Sequence, residues 1–482
     1  MSEKLLVFDV GTTGARTIAY DLTGHEIIKI YEEFKIERQA PGISEQDPQI
    51  WWASVKKTSN QVSKKIDLNE IIGICFSFHR ATTTIIDKDG KILHPALTWM
   101  DEREVTDIKV FSEEGGLRRA LPKILWIKNN HPELFSKAAK IISPDSYFYM
   151  KLCGECVTDP SNGIYSILNT QSLQWDENLA EEYELPIDLW PTLRYPGDII
   201  GELSSAAAEE LGLKKGLPIV AGGGDQQCAA LGLGVVNIGQ AKATTGTGTF
   251  VDLVVDKPIP PAGDIPIFSL PHVVKGKWVL EGAMPGTGTA LQWFRDNFSQ
   301  LQMQQTGDKI YDQLSAEAAQ IPPGSEGLLF IPLYIFKKGT IYGLGFGHTR
   351  GYFVRAIMES AALSAQVYLG LVEGMGRVKT EELRVDGGGM NSDLWCQIFA
   401  DVIGKKILIA ENKDGAGLGA AILGFCGLKR YATYDDAIHH MVRFSSTKHA
   451  NQDNRKIYKK LIRVFMPAVL EILNKKRITG NL

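Results

Sequence analysis

Apolar residues in this chain fall into short continuous runs that stop at glycine, threonine and aspartate, the pattern of buried strands feeding tight turns. The first run, Leu5-Leu6-Val7-Phe8, leads into Asp9-Val10-Gly11-Thr12-Thr13-Gly14-Ala15-Arg16, and a second, Thr17-Ile18-Ala19-Tyr20, ends at Asp21. The spacing predicts a strand that delivers one carboxylate into a Gly/Thr turn and then returns as another strand. Asp21-Leu22-Thr23-Gly24 and Asp87-Lys88-Asp89-Gly90 are predicted to close two further hairpins. Between them, Asp47-Pro48 supplies an N-cap and a first-turn proline for a helix with Ile50, Trp51, Val55, Val62 and Ile66 on its apolar face. Ile71 to Phe78 reads as a further strand.

Residues 100–215 read as helical and irregular, decorating a first core. Pro218 to Ala221 is then a short buried strand that enters Gly222-Gly223-Gly224-Asp225-Gln226-Gln227, with a helix-compatible stretch from Cys228 to Leu233. A second Gly/Thr turn follows at Thr245-Gly246-Thr247-Gly248-Thr249-Phe250, and its outgoing strand, Val251 to Val255, ends at Asp256. Gly11 to Asp21 and Gly246 to Asp256 each span ten residues, so one element occurs twice, about 235 residues apart. This repetition predicts an α/β protein of two similar halves, residues 1–243 and 244–482, each offering a hairpin to a shared cleft.

The second half continues with a helix from Thr287 to Phe298 and an apolar run from Leu328 to Phe336. A long helix from about Tyr352 to Gly374 carries Phe353, Ile357, Ala361, Ala365, Tyr368 and Val372 on one face. Leu383-Arg384-Val385 is a strand ending at Asp386-Gly387-Gly388-Gly389, and Asn391 or Ser392 caps the helix after it.

At 482 residues the chain exceeds one core and predicts two or three domains. A net charge of −4 without a long basic block argues against nucleic acid as a partner. No run reaches the roughly 18 apolar residues of a membrane span, and Asp9 interrupts the N-terminus before a signal-peptide core is complete. No membrane partner and a cytoplasmic location are the resulting expectations. Oligomeric state is left open, a homo-oligomer included. The six cysteines are scattered, and Cys153-Gly154-Glu155-Cys156 reads first as a glycine-containing turn with two incidental thiols.

Glycines let a backbone approach a bulky anion, and threonine hydroxyls with exposed N–H groups hold phosphate oxygens. Asp9 stands where a divalent metal on those phosphates needs an oxygen ligand. No Gly-Lys-Ser/Thr follows, so this is not a Walker loop. Four glycine clusters, each after a short strand and three carrying aspartate, fit a nucleotide held by its phosphates, with Asp386 to Gly389 reaching the nucleoside end. Asp225 is the candidate catalytic residue: after a strand and before a helix, its carboxylate can take a proton from an attacking hydroxyl. The plainer alternative is a helix cap. Gln226 and Gln227 add neutral hydrogen-bonding groups suited to a polyhydroxyl ligand. Phe76 to Thr83, with His79 and Arg80, and Trp99-Met100-Asp101-Glu102-Arg103 combine aromatic faces with charges, as sugar and polyol sites require.

Phe8-Asp9-Val10-Gly11-Thr12-Thr13, Gly224-Asp225-Gln226-Gln227, Thr245-Gly246-Thr247-Gly248, Gly347-His348-Thr349-Arg350 and Val385-Asp386-Gly387-Gly388 occur in the order and spacing of the FGGY carbohydrate kinases. The chain resembles that family over essentially its whole length. The resemblance implies two actin-like (ribonuclease H-like) domains around a central cleft, with ATP and Mg²⁺ as cofactors and a small sugar or polyol as substrate. It implies Asp9 at the metal, and Thr13 with Arg16 at the transferred phosphate beside Gly11 and Thr12. Thr245, Gly246 and Thr247 would line the second phosphate loop. Gly387, Gly388 and Asn391 would lie near the adenosine, and Asp225 would be the base. His79, Arg80, Trp99, Asp101, Asp225 and Gln226 are the candidate substrate contacts.

Arg16, Arg80 and Asp225-Gln226-Gln227 look like glycerol kinases, which place a glutamate where this chain has Ala81. Trp99-x-Asp101-x-Arg103 is similar to xylulokinases, and Gly222 to Gly234 to autoinducer-2 kinases. Loss of a charged side chain at position 81 enlarges and neutralises the pocket. That favours a ketose such as xylulose over glycerol. A sensor that kept the fold but lost turnover is the alternative of another class.

Overall fold

The computed structural model describes residues 3–36, 40, 42–103, 117–246, 248–260, 267–332 and 339–479. The chain forms two compact units that are discontinuous in sequence. Unit 1 comprises Met1–Val236, Val255–Val279 and Asp414–Val442, and unit 2 comprises Asn237–Val254, Leu280–Lys413 and Arg443–Leu482.

Unit 1 is built on a sheet containing β1 (Lys4–Val10), β2 (Gly14–Asp21), β3 (Glu26–Glu33), β4 (Ile71–Phe78), β5 (Ile199–Glu202) and β6 (Pro218–Val220), in the order β5-β6-β4-β1-β2-β3. β1 pairs antiparallel with β2 and parallel with β4, and both of these central strands are buried on two faces, as their continuous apolar runs require. Alternation along β1 then sorts its side chains. Leu6, Phe8 and Val10 enter a core with Trp51, Trp52, Phe76, Phe78 and Phe148, whereas Leu5 and Val7 enter a second with Ile18, Tyr20, Leu418, Ile422 and Phe425. The edge strand β3 alternates half-buried and exposed positions.

The second core brings the helix Gly415–Gly427 onto the sheet and against the helix Asp225–Gly232. These two helices meet backbone to backbone. A Cβ on Gly419 would lie 1.8 Å from the Cys228 carbonyl oxygen, and one on Gly232 would lie 2.0 Å from that of Gly415. The expected helix over Cys228 to Leu233 therefore begins earlier, at Asp225, and its partner comes from nearly 190 residues downstream.

Unit 2 repeats the plan with β7 (Ala241–Thr245), β8 (Gly248–Val255), β9 (Trp278–Pro285), β10 (Glu382–Asp386), β11 (Lys406–Ala410) and β12 (Phe444–Lys448), in the order β12-β11-β10-β7-β8-β9. β7 is antiparallel to β8 and parallel to β10, as β1 is to β2 and β4. The duplication expected from the two Gly/Thr turns is present in the strand order itself. A buried ion pair, Lys242 to Asp252 at 3.0 Å, joins the two strands of the second hairpin.

Local expectations match with small shifts. Asp47 caps Pro48–Ser63 by accepting from the Gln49 N–H at 2.9 Å, and Ile66 lies beyond that helix. Ser392, rather than Asn391, caps Asp393–Ile403. Thr287–Phe298 is helical, and the long helix runs from Arg350 to Gly376. In the Leu328 to Phe336 run, Leu329–Ile331 is a strand and residues 333–336 lie outside the described residues. Gly154 takes a left-handed conformation at the end of Pro144–Cys153, so the Cys153 to Cys156 stretch is a helix terminus. Among the described residues, no helix is long and apolar enough to cross a membrane.

Candidate active site

The hairpin register of β1 and β2 sets Arg16 directly opposite Asp9. Arg16 Nη1 donates to Asp9 Oδ2 at 2.9 Å and to Asp414 Oδ2 at 3.1 Å. Asp414 is itself the N-cap of Gly415–Gly427, accepting from the Gly417 N–H at 3.3 Å. One guanidinium thus faces two buried carboxylates. Burial pushes the Asp9 carboxyl up to about 7 despite Arg16, and Asp414 adds to the rise. Burial opposes the Arg16 charge, yet Asp9 and Asp414 hold the guanidinium above its ordinary range.

The turn between these strands is pinned from outside. The Gly11 N–H donates to the Gly14 carbonyl at 2.9 Å, and the Phe34 N–H donates to that of Thr13 at 2.9 Å. Gln46 Nε2 donates to the Thr12 carbonyl at 2.7 Å, and Trp99 Nε1 donates to Thr12 Oγ1 at 2.9 Å. Trp99 therefore reaches the first Gly/Thr turn. Asp101, fully buried, accepts from the Ser44 N–H at 2.7 Å and from Arg103 Nη2 at 2.8 Å.

Asp225 opens the helix Asp225–Gly232. The N-cap position belongs to Gly224, which makes no side-chain cap bond, and Asp225, the first helical residue, satisfies one first-turn N–H of its helix, that of Gln226. Its carboxylate is a third exposed, with Oδ1 ion-paired to Arg80 Nε at 3.1 Å and accepting from the Gln226 N–H at 2.8 Å. The Arg80 guanidinium lies over the Tyr165 ring at 5.6 Å, and its Nη1 donates to Gln227 Oε1 at 3.2 Å. His79 is buried, with Nδ1 donating to the Val10 carbonyl at 3.1 Å and the Trp51 ring edge-on at 5.4 Å. That bond turns the His79 Nε2 lone pair inward, where it has no hydrogen-bond partner among the described residues. Burial lowers the His79 pKa. The Asp225 charge reaches both His79 and Asp9.

Unit 2 gathers the other candidates. A cavity of about 580 Å³ is lined by Gly246, Leu291, Tyr311, Gly388, Asn391 and Trp395, among others. Gly387 backs onto Thr245, whose Oγ1 is buried with no hydrogen-bond partner among the described residues. At the strand end, Lys242 Nζ donates to Thr244 Oγ1 at 3.0 Å and Thr244 donates to Asp386 Oδ1 at 2.6 Å. Thr247 lies outside the described residues. Sequence reading missed Asp414, whose one signal is an aspartate leading Gly415-x-Gly417-x-Gly419 after another short apolar run. It also missed Tyr311 and Trp395, which carry no glycine cluster of their own.

Residues 4–232 match the FGGY family of carbohydrate kinases, N-terminal domain, and residues 241–428 match the C-terminal domain of the same family. The chain belongs to the FGGY family of carbohydrate kinases. It is similar to a xylulose kinase of Staphylococcus epidermidis, with 26% identity covering 96% of each chain. It is also similar to a glycerol kinase of Thermococcus kodakarensis, with 30% identity covering 88% of each. Among solved structures, a gluconate kinase from Lactobacillus acidophilus superposes with a TM-score of 0.87 at 22% identity, covering 99% of both chains. This FGGY kinase thus has the two-domain actin-like fold and phosphorylates a carbohydrate with ATP.

The residues present fit both groups that the family implies. The unit 2 cavity has the volume of a small-molecule site, with apolar and aromatic walls and a few polar groups, as a nucleoside requires. Asp9 and Asp414 offer buried carboxylate oxygens of the kind a hard cation takes as ligands, with Arg16 at 2.9 and 3.1 Å and Lys29 at 3.9 Å from Asp414 as their counter-charges.

Proposed function

We propose that this kinase phosphorylates a hydroxyl of a small uncharged sugar or polyol, a ketose such as xylulose before glycerol, with Asp225 as general base. The observation that carries the reading is the Asp225 carboxylate: at the first helical position and a third exposed, it has Arg80 and the Gln226 N–H both on Oδ1, which leaves Oδ2 for an acceptor hydroxyl. Arg80 holds that oxygen in place, and Oδ2 takes the proton of the acceptor hydroxyl as its oxygen bonds to the γ-phosphorus of ATP and the bond to the departing ADP breaks. Asp9 would hold Mg²⁺, with Thr12, Thr13 and Arg16 near the transferred phosphate. Thr245, Gly246, Gly387, Gly388 and Asn391 would hold the nucleotide. When bound, Mg²⁺ supplies charge neutralisation for the transferring phosphoryl group.

The preference for a ketose rests on position 81. Ala81 brings no charge, and beside it lies a cavity of about 30 Å³, walled by Thr82, Asn162, Tyr165 and Trp190 among others. That volume takes one hydroxyl or one water, which supports an acceptor longer than glycerol. His79, Arg80, Trp99, Asp101 and Gln226 are the proposed substrate contacts.

Two measurements test this reading. ADP release across glycerol, xylulose, ribulose and tetritols is expected to be fastest with a ketose, and glycerol as the best acceptor would overturn the preference. Asp225→Asn is expected to lower kcat by about 10²–10⁴-fold while ATP still binds. Near-normal turnover would remove Asp225 from the role of base.

A further inference from the structure

The loop that delivers Asp225 has no side chains with which to hold itself. Gly222 has no room for one, because a Cβ there would lie 1.9 Å from the Phe76 carbonyl oxygen. Gly223 and Gly224 pair with Ser77 and Phe78 at the end of β4. The loop is fixed instead by polar groups from elsewhere in unit 1. The Gly222 N–H donates to the Tyr149 hydroxyl at 2.9 Å, and the Gly224 N–H donates to Ser161 Oγ at 2.8 Å.

A serine oxygen accepts in a defined direction only when its own hydrogen is committed elsewhere. Here the Ser161 hydroxyl donates to Asp159 Oδ1. Asp159 is held in turn by the Ser161 N–H and by Asn162 Nδ2, each donating at 2.7 Å. Asp159 and Ser161 are 3% and 1% exposed, so this is a buried network in which a misdirected donor costs more than it would at the surface. Beside it, Asp145 accepts from Thr158 Oγ1 at 2.6 Å and from the Ser146 N–H at 2.8 Å. Capping the four-residue helix Pro160–Gly163 would need only the bond from the Ser161 N–H to Asp159. The hydroxyl bond reaching 63 residues along the chain to Gly224 goes beyond that task.

We infer that Ser161, oriented by Asp159, is a positioning residue for the phosphoryl-transfer step: it fixes the Gly224 peptide and through it the carboxylate of Asp225. This rests on Asp225 as the base. Ser161 touches neither substrate nor nucleotide in this scheme. Its contribution is to the placement of a group for which a displacement of about 1 Å costs on the order of 10²-fold in rate.

The test compares Ser161→Ala, Ser161→Thr and Ser161→Val with the parent and with Asp225→Asn. Ser161→Ala is expected to lower kcat about 10–100-fold while leaving KM for ATP unchanged, because among the described residues Ser161 bonds to Asp159 and Gly224 and to none of the proposed phosphate- or nucleotide-holding residues. Threonine and valine match in size and differ in the hydroxyl, so their kcat ratio isolates the hydrogen bond even when both variants are less stable. A threonine-to-valine ratio of about tenfold or more supports the role. A ratio near one overturns it, as does a Ser161→Ala enzyme with parental kcat. Normal turnover in Asp225→Asn would overturn the base reading instead. An inactive Asp225→Asn with equal threonine and valine rates would overturn only the role of Ser161.

Discussion

Replacing Gly419 by alanine probes the link between packing and catalysis in unit 1. The added Cβ would lie 1.8 Å from the Cys228 carbonyl oxygen, 2.6 Å from its carbon and 3.0 Å from the Gly232 nitrogen, all backbone atoms. No rotamer change relieves backbone contacts, so the helix Asp225–Gly232 or Gly415–Gly427 must retreat by roughly 1.5 Å to reach ordinary van der Waals separation. Overpacking of this kind costs roughly 1–3 kcal/mol, or about 1 °C of melting temperature per kcal/mol in a chain of this size. Because Asp225 opens the displaced helix, kcat is expected to fall about 10²-fold with little change in KM for ATP. Gly370→Ala is the control: it lies mid-helix in Arg350–Gly376, where an added methyl carbon would meet nothing within 4 Å, and is expected to keep activity and to gain about 0.5–1 kcal/mol. Melting curves and coupled ADP release on both variants decide the matter. Parental stability and turnover in Gly419→Ala would refute the reasoning.

Two further outcomes follow from buried charges. Burial, with Asp145 adding to it, pushes the Asp159 carboxyl up from the usual 3.8 to about 7, so across that window the folded chain keeps a proton that the unfolded chain releases. The contribution to stability is full near pH 4 and is lost as pH rises through 7. Chemical denaturation of parent and Asp159→Asn at pH 5 and pH 8 is expected to show their difference moving in favour of the variant by a few kcal/mol; a pH-independent difference would contradict this. In unit 2, Lys242→Met leaves the fully buried Asp252 without its cation and is expected to cost about 3–5 kcal/mol, whereas adding Asp252→Leu recovers most of it. Equal melting temperatures for the single and double variants would count against that account.

Much of the fold was legible because it is written in local patterns. Short apolar runs ending at Asp9, Asp225 and Asp386 marked strand ends, and the repeated Gly/Thr turn announced two similar sheets before any strand pairing was seen. The hairpin register that sets Arg16 against Asp9 follows from the same turn. What the sequence did not show were partnerships that depend on distant chain segments. Nothing near Arg16 points to Asp414, and nothing in Asp159-Pro160-Ser161 points to Gly224. The role of Asp101 is nonlocal on one side, since Arg103 lies two residues away but the Ser44 N–H reaches it from 57 residues upstream. Cavity walls such as Tyr311 and Trp395 are ordinary helical aromatics until the fold turns them toward Gly388.

The return of Asp414–Val442 to unit 1 has a consequence for how the chain is made. During synthesis the β1 to β6 sheet is available long before the helix that covers Leu5, Val7 and Ile18. At about 5–20 residues per second, roughly 10–35 s separate emergence of Gly232 from that of Asp414. Throughout that interval one face of the first sheet is apolar and uncovered, a surface for a chaperone or for a neighbouring nascent chain. Only when unit 2 has largely left the ribosome can the first-made unit close over its own core.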